Sequence, residues 1–481
     1  MIPLDPVGSL RSRAAADPDG AALIAADARL TAEEAWDSVA RIALRLREQG
    51  VGPGTVVGVA LPPLLQPVLA LALWGLGAIG AVAPVPGLER GRVLDILVTP
   101  VPAADLPVER QLLVDDRWLT GTAELDPAAF EPVLRTGDDL VRLVFSSGTT
   151  GAPKAIPFTS DEIRERVVRS RENWLLRHPA LTTLGLGTIS GSATFFAAVD
   201  DGIAYLVPGS ADQNLRVLAD VRAHVVHGSP AQLSELLTTV RRRQATLPAL
   251  ETAQSVGSPL PGALAQRLER ELGVVVEVIY GATEVGAVTL RRGPAREPGD
   301  VGTVLDYATV EVLDDDGRPV PDGETGLVRI RRPLQAQASF RGGADDDAAF
   351  QDGWFVPGDL GRLVDGRLIL GARRSELINA AGLKVDPERV EQAALRQPGV
   401  RDAAAFAVSD ARGVAAVGLS VVTDDGVDSQ RLVAALRREL GDATPRICHR
   451  VASLPRTENG KLRRAQIAAD VQSRLDRTIE F

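Results

Sequence analysis

Helical and extended patterns alternate through the N-terminal part of this chain, and that alternation confines the fold to layered α/β architectures. Thr31-Ala32-Glu33-Glu34 has the spacing of a capping box, Trp36, Val39, Ala43 and Leu46 recur on one helical face, and Gly50 supplies a stop. Val56 to Leu61 then reads as a buried strand. The unit repeats farther on, with an extended Leu140 to Phe145, a polar glycine loop, and a helix from about Ser160 entered through Thr159-Ser160-Asp161-Glu162. From about Asp300 the texture becomes β-rich: Val310 to Leu313 and Gly326 to Ile330 flank the turn signals Asp316-Gly317 and Asp322-Gly323. After Leu370 a smaller α+β unit begins. Asp386-Pro387 opens a helix to about Gln397, Ala403 to Val408 and Val414 to Val422 read as strands, Ser429 to Leu440 as a second helix, and a terminal helix follows Gly460. A length of 481 residues exceeds the roughly 250–300 at which single cores stop growing, so two units are expected: 1–371, a hinge at 372–375, and 376–481.

One stretch imitates a membrane span. Leu61 to Pro86 has Gln66 as its only polar side chain, but its prolines and glycines leave a helical run of about eleven residues, short of the ~20 that a bilayer needs. A buried helix is expected. The same stretch holds Gly75-Leu76-Gly77-Ala78-Ile79-Gly80, a literal G-x-G-x-x-G that ends a helical pattern; a dinucleotide loop follows a strand and opens a helix.

Charge and cysteine usage exclude several functions. A net charge of −10 argues against a nucleic-acid or anionic-membrane binder, whose affinity rests on a basic surface. The single Cys448 cannot form an internal disulfide, and His178, His224, His227 and His449 have no metal-ligand spacing. With no signal-peptide pattern at the N-terminus, a cytoplasmic protein with a small-molecule partner is expected. The Asp314–Asp316 cluster lacks the ligand ladder of a calcium loop and reads as turn acids.

Lysine is almost absent. Lys154, Lys384 and Lys461 stand against 50 arginines, and a compact ammonium on a flexible stem does what a planar guanidinium cannot. Each lies in a segment that reads as a motif. Phe145-Ser146-Ser147-Gly148-Thr149-Thr150-Gly151-Ala152-Pro153-Lys154 puts hydroxyl and backbone N–H donors around one concavity beside a cation, as a phosphate cradle requires; the Walker A spacing is absent. Tyr280-Gly281-Ala282-Thr283-Glu284 follows the apolar run Val274 to Ile279 at a strand's carboxyl end, where α/β sheets place ligands. It offers an aromatic face, a hydroxyl, and a carboxylate for a hard cation such as Mg2+. Asp359, in Trp354-Phe355-Val356-Pro357-Gly358-Asp359, can accept from a ribose diol. Gly371 to Lys384 crosses the domain boundary, and Asn459-Gly460 makes a turn projecting Lys461.

In this order and at these separations, from Thr31 to Gln466, the segments resemble the core motifs of the ANL adenylate-forming superfamily of acyl-CoA synthetases, nonribosomal adenylation domains and luciferases. The resemblance implies a large N-terminal domain of layered α/β subdomains with a β-rich end, and a small mobile α+β C-terminal domain. It assigns Ser146, Ser147, Gly148, Thr149, Thr150, Gly151 and Lys154 to the ATP phosphates, Tyr280 and Gly281 to adenine, Thr283 and Glu284 to the α-phosphate and Mg2+, and Asp359 to the ribose with Arg373 close by. Gly257, in Ser255-Val256-Gly257-Ser258-Pro259-Leu260, falls beside adenine and the acid. Thr188, His227, Ser229 and Ala282 fall at the acid pocket, Phe195 and Phe196 either line it or belong to the ordinary core, Ser375 falls at the hinge, and Gly382 and Lys384 on the acceptor side. Lys461 bridges the carboxylate and the α-phosphate. Departures from the family pattern at Ala155, Ala372, Ser375 and Ala381 remove no reacting group, and Thr188 stands where histidine or an aromatic is frequent.

The resemblance therefore implies an ATP- and Mg2+-dependent ligase that forms an acyl- or aryl-adenylate and passes it to a thiol, coenzyme A being favoured because Gly382 leaves room for a pantetheine arm. A stand-alone ligase that transfers to an amine or to a carrier-protein thiol is the alternative. A non-catalytic nucleotide sensor is a third reading, which the presence of Glu284 and Lys461 argues against. A monomer or homodimer is expected.

Overall fold

The computed structural model describes residues 4–82, 93–103, 108, 110–146, 154–172, 179–340, 346–380, 383–409, 415–424, 427–456 and 462–479. Both capping boxes form as read. Thr31 caps Ala32–Glu48 and Thr159 caps Ser160–Ser170, each with the reciprocal glutamate bond. The apolar stretch is an eleven-residue helix, Leu65–Gly75, buried on nearly all sides. It packs against Ala32–Glu48 and reaches across to the helix Ile189–Asp200, where Trp74 meets Phe196 with ring centroids 5.0 Å apart. A helix apolar all round is stable only inside a core, and among the described residues no helix is long and apolar enough to cross a membrane. Gly75 ends this helix and Gly80 lies in the following strand Ile79–Val82, so the glycine pattern runs helix to strand and makes no dinucleotide loop.

Two large sheets and a small one of Tyr205–Leu206, Ala21–Ile24 and Arg29–Thr31 form the large lobe. The first orders Arg110–Leu113, Ile96–Thr99, Val56–Val59, Ile79–Val82 and Leu140–Ser146 in parallel, with Lys154–Thr159 antiparallel at the edge. The second begins with four parallel strands, Ala180–Thr182, Val225–Gly228, Thr252–Val256 and Val275–Ala282. It then turns antiparallel through Gly286–Arg292, Asp300–Val304, Arg367–Arg373, Asp359–Val364 and Gly326–Arg331. That antiparallel half is the β-rich end. Gly317 and Gly323 take positive φ in its turns, and the turn acids at 314–316 are exposed, with Asp314 accepting from the backbone of Asp316 and Arg318.

The small lobe is α+β. A hairpin of Ile378–Ala380 and Leu383–Val385 precedes a sheet ordered Val400–Ser409, Ala415–Thr423, Ile447–Arg450. Pro387–Leu395 and Ser429–Leu440 cover one face of this sheet, and Arg464–Ile479 covers the other. Ala372 and Arg373 end the last strand of the large lobe, Arg373 pairing with Asp359. The single turn Arg374–Glu376, which contains Ser375, then joins the lobes.

Because the small lobe has its own core, a cavity there should act locally. Leu436 is fully buried in it. Leu436→Ala should cost about 2–5 kcal/mol, seen as an early transition in urea followed by the small-lobe fluorescence of an introduced probe.

Candidate active site

A cleft of about 3400 Å3 lies between the carboxyl ends of the parallel strands and the inner wall of the small lobe. Ser146 and Lys154, expected at the phosphates, both border it. They are paired across two antiparallel strands, which sets a hydroxyl beside an ammonium. Ser147, Gly148, Thr149, Thr150 and Gly151 lie outside the described residues, as do Gly382 and Lys461.

Three predicted nucleotide residues form one unit. The Tyr280 hydroxyl donates to Asp359 Oδ2 at 2.6 Å, and Arg373 Nε donates to Asp359 Oδ1 at 2.8 Å. The strand bearing Tyr280 extends to Ala282, three residues past its predicted end, so the tyrosine is anchored in the sheet. Burial, reinforced by Asp359, pushes the Tyr280 phenol well above its usual value, keeping it a donor. Burial alone lowers the Arg373 guanidinium, but the charge and hydrogen bond of Asp359 outweigh that and hold it above its usual value. Asp359 is 6% exposed and has both oxygens directed by these partners. Gly281 is required here because a Cβ would lie 2.1 Å from the Gly286 carbonyl oxygen.

The turn from Thr283 to Gly286 is braced from below. Arg166 donates to the Glu284 carbonyl at 3.2 Å, Arg332 donates to the Val285 carbonyl, and Ala336 N donates to Glu284 O at 3.1 Å. Arg332 also makes a bidentate pair with Glu165 at 2.8 and 2.9 Å and stacks on Tyr307 at 4.4 Å. Burial, then Arg332, lowers Arg166 to about 10, so it stays charged at neutral pH. The brace fixes the backbone under Glu284, whose carboxylate borders the cleft with Thr283. Neither arginine was predicted from the sequence. Arg166 follows the capped helix pattern and Arg332 has no local signature.

The residues expected at the acid pocket, Gly257, Ala282, Thr188, His227 and Ser229, all border the cleft. Gly257 takes φ +90°, which suits a residue without a side chain. The Thr188 hydroxyl accepts from Gly191 N at 3.0 Å and donates to Gly185 O at 3.1 Å, capping Ile189–Asp200. Ser229 caps Pro230–Arg243 in a box with Gln232, a signal readable in Ser229-Pro230-Ala231-Gln232. His227 is buried. Phe195 and Phe196 are core residues that do not line the cleft. Lys384 is exposed on the small-lobe hairpin, paired with Asn379, and does not border the cleft.

A family model described as AMP-binding enzyme matches residues 10–339, and a second, AMP-binding enzyme C-terminal domain, matches 389–461. The chain belongs to the ANL superfamily of AMP-binding enzymes. It is 30% identical to a feruloyl-CoA synthase of Amycolatopsis, with 95% of this chain and 96% of that protein covered. A 2-succinylbenzoate–CoA ligase of Bacillus licheniformis is 26% identical over 95% and 98%. The fold is that of ATP-bound MatB from Rhodopseudomonas palustris, with a TM-score of 0.84 at 23% identity over 98% of this chain and 100% of that one.

In this AMP-binding enzyme the small lobe contributes a charged wall to the cleft. Arg464 bonds Glu391 through Nε at 3.1 Å and Nη2 at 3.0 Å, and Glu376 through Nη1 at 2.9 Å. Asp386 and Glu388 adjoin this network at the start of Pro387–Leu395. Burial, then the like charges of Asp386, Glu391 and Glu376 against the opposing Arg464, push the Glu388 carboxyl up to about 8.

Two outcomes follow from these ion networks. Arg332→Met removes the buried guanidinium that bonds Glu165 and the Val285 carbonyl and leaves Glu165 with Arg169 Nε at 3.4 Å, so unfolding in urea should show a loss of about 1–3 kcal/mol. Glu388 binds its proton more tightly folded than unfolded. Its share of stability is therefore lost as pH rises from about 4.5 to about 8, and Glu388→Gln should flatten the decline of Tm across that interval.

Proposed function

We propose that this enzyme is an ATP- and Mg2+-dependent ligase that converts a small carboxylic acid to an acyl- or aryl-adenylate and then transfers it to the thiol of coenzyme A. The observation that carries the reading is the Tyr280–Asp359–Arg373 unit standing in one cleft with Glu284, Ser146 and Lys154. Donors, an aromatic face and a paired carboxylate are thereby set where a nucleotide's base, ribose and phosphates differ in chemistry. The two relatives named above carry coenzyme A in their names, which supports that acceptor over an amine or a carrier-protein thiol.

The donor set fits a cation that arrives with its nucleotide. Among the described residues no group of three or more histidine, cysteine or carboxylate side chains could hold a metal, whereas Mg2+ is commonly bound by one or two carboxylates together with substrate phosphates. Glu284 would supply that carboxylate. When bound, Mg2+ neutralises phosphate charge.

The acid's carboxylate oxygen forms a bond to the α-phosphorus as the bond to the pyrophosphate oxygen breaks. Both reactants are anions, and a carboxylate is already ionised at neutral pH, so positioning and cations carry the step and no general base is required. Lys154 stands at the phosphate side, Arg373 and Asp359 hold the ribose end, and the braced backbone beneath Glu284 spares reorganisation. In the second step the coenzyme A sulfur bonds to the acyl carbon, AMP leaves with the electron pair of the broken C–O bond, and the thiol proton passes to solvent. We place Lys461 in the first step on the sequence resemblance, and assign the second to a rotated small lobe hinged near Ser375 that presents Gly382 and Lys384 to the acceptor.

ATP–pyrophosphate exchange across a panel of acids tests the first step, and AMP release with coenzyme A against a panel of amines tests the second. Lys461→Ala should abolish exchange while leaving thioester formation from synthetic acyl-adenylate largely intact. Loss of both steps together would argue against two lobe arrangements, and turnover only with amines would replace coenzyme A as the acceptor.

A further inference from the structure

The imidazole of His227 is an unsatisfied group at the wall of the acid pocket. The residue is 3% exposed, borders the cleft, and neither Nδ1 nor Nε2 has a hydrogen-bond partner in the protein. The other polar side chains expected to face the acid are already committed: Thr188 to Gly191 and Gly185, and Ser229 to Gln232. Its backbone is fixed, since the His227 carbonyl accepts from Thr183 N at 2.7 Å and from Thr183 Oγ1 at 3.1 Å. A buried polar atom left unpaired costs about 1–3 kcal/mol, and such groups in native structures call for an explanation.

The surroundings define what can pair with it. Side chains alternate along a strand, so His227 shares a sheet face with Val225, which joins the core cluster of Phe195 and Phe196 on the helix Ile189–Asp200. That helix borders the cleft with Ile189, Ser190 and the small Ala193, none of them charged. Burial lowers the imidazole to about 4, so at neutral pH it is uncharged and offers one N–H donor and one lone pair. Neither that helix nor the strands Ala180–Thr182, Val225–Gly228 and Thr252–Val256 contain a lysine or arginine. A second carboxylate on the substrate would meet no counter-charge from them.

We propose that His227 is a specificity-determining residue, and that the acid activated here carries an uncharged hydrogen-bonding substituent away from its carboxylate, such as an aryl hydroxyl, in preference to a plain hydrocarbon or a dicarboxylic acid. The inference rests on the adenylate-forming reading and narrows its substrate class. The substituent takes the place of the missing hydrogen-bond partner. A plain ring leaves the imidazole as unpaired as before, and discrimination then comes from the protein's own unsatisfied group.

The test is ATP–pyrophosphate exchange by the full chain with matched acids: benzoate against its hydroxy derivatives, cinnamate against 4-hydroxycinnamate, and terephthalate as the dicarboxylate. Wild type should prefer the best hydroxylated acid over its parent by about tenfold or more in kcat/KM, as one good neutral hydrogen bond allows. In His227→Leu that ratio should fall toward one, mainly through KM, and His227→Gln should restore part of it. A preference for the plain acids or for terephthalate overturns the proposal. So does a His227→Leu enzyme that loses all acids in equal proportion while His227→Gln recovers them equally, because that pattern marks a packing role. Exchange with none of the acids would remove the adenylate-forming reading itself, whereas exchange confined to plain acids removes only the role of His227.

Discussion

The site depends on a turn held up by two buried cations. Arg166 comes from the helix that follows the first sheet, Arg332 from the β-rich end, and both bond the backbone between Glu284 and Val285. Like charges this close repel, and each is desolvated. The arrangement stands because both Glu165 oxygens accept from Arg332 Nη2, the carbonyls of Glu162, Glu284 and Val285 accept from the other terminal nitrogens, and Phe158 and Tyr307 lie under the guanidinium planes at 4.6 and 4.4 Å, while the Nε of each arginine has no hydrogen-bond partner among the described residues. Three distant stretches of chain are thereby fastened to one turn.

That fastening decides what the cleft can do. The strand Val275–Ala282 enters the turn and Gly286–Arg292 leaves it, so Tyr280 and Glu284 are held at a fixed separation. Tyr280 in turn is tied to Asp359 and Arg373, the last at the end of the strand that leads into the small lobe. Tyr280, Asp359 and Arg373 therefore share one sheet with the strand that leads into the interlobe turn. The small lobe, with a separate core and a charged inner wall, meets the large one across a short connection. This division suits an enzyme whose two half-reactions need different surfaces against the same bound nucleotide.

Much of this was legible in the sequence. The boxes at Thr31 and Thr159, the apolar helix Leu65–Gly75 and the helix Ser429–Leu440 rest on local periodicity and capping chemistry, which act over a few residues and leave a mark in them. The motif residues Ser146, Lys154, Tyr280, Glu284 and Asp359, which the structure brings to one cleft, stood out as hydroxyl, ammonium, aromatic and carboxylate side chains at or near strand ends. What escaped was supported at long range. Arg332 and Glu165 are 167 positions apart, and Phe195 and Phe196, which the sequence leaves open between the acid pocket and the core, pack into the core against Tyr205 and Trp74.

The sequence by itself determined the succession of elements, the family and the chemistry of the motifs, since these follow from short-range patterning and from residue types that a reaction needs. Only the tertiary structure decided which polar groups remain unpaired once the chain has satisfied itself. Thr188 and Ser229 end as helix caps and His227 ends with no partner in the protein. The physical reason is that hydrogen-bond satisfaction is settled by every neighbour in space, and a linear pattern records only the neighbours along the chain.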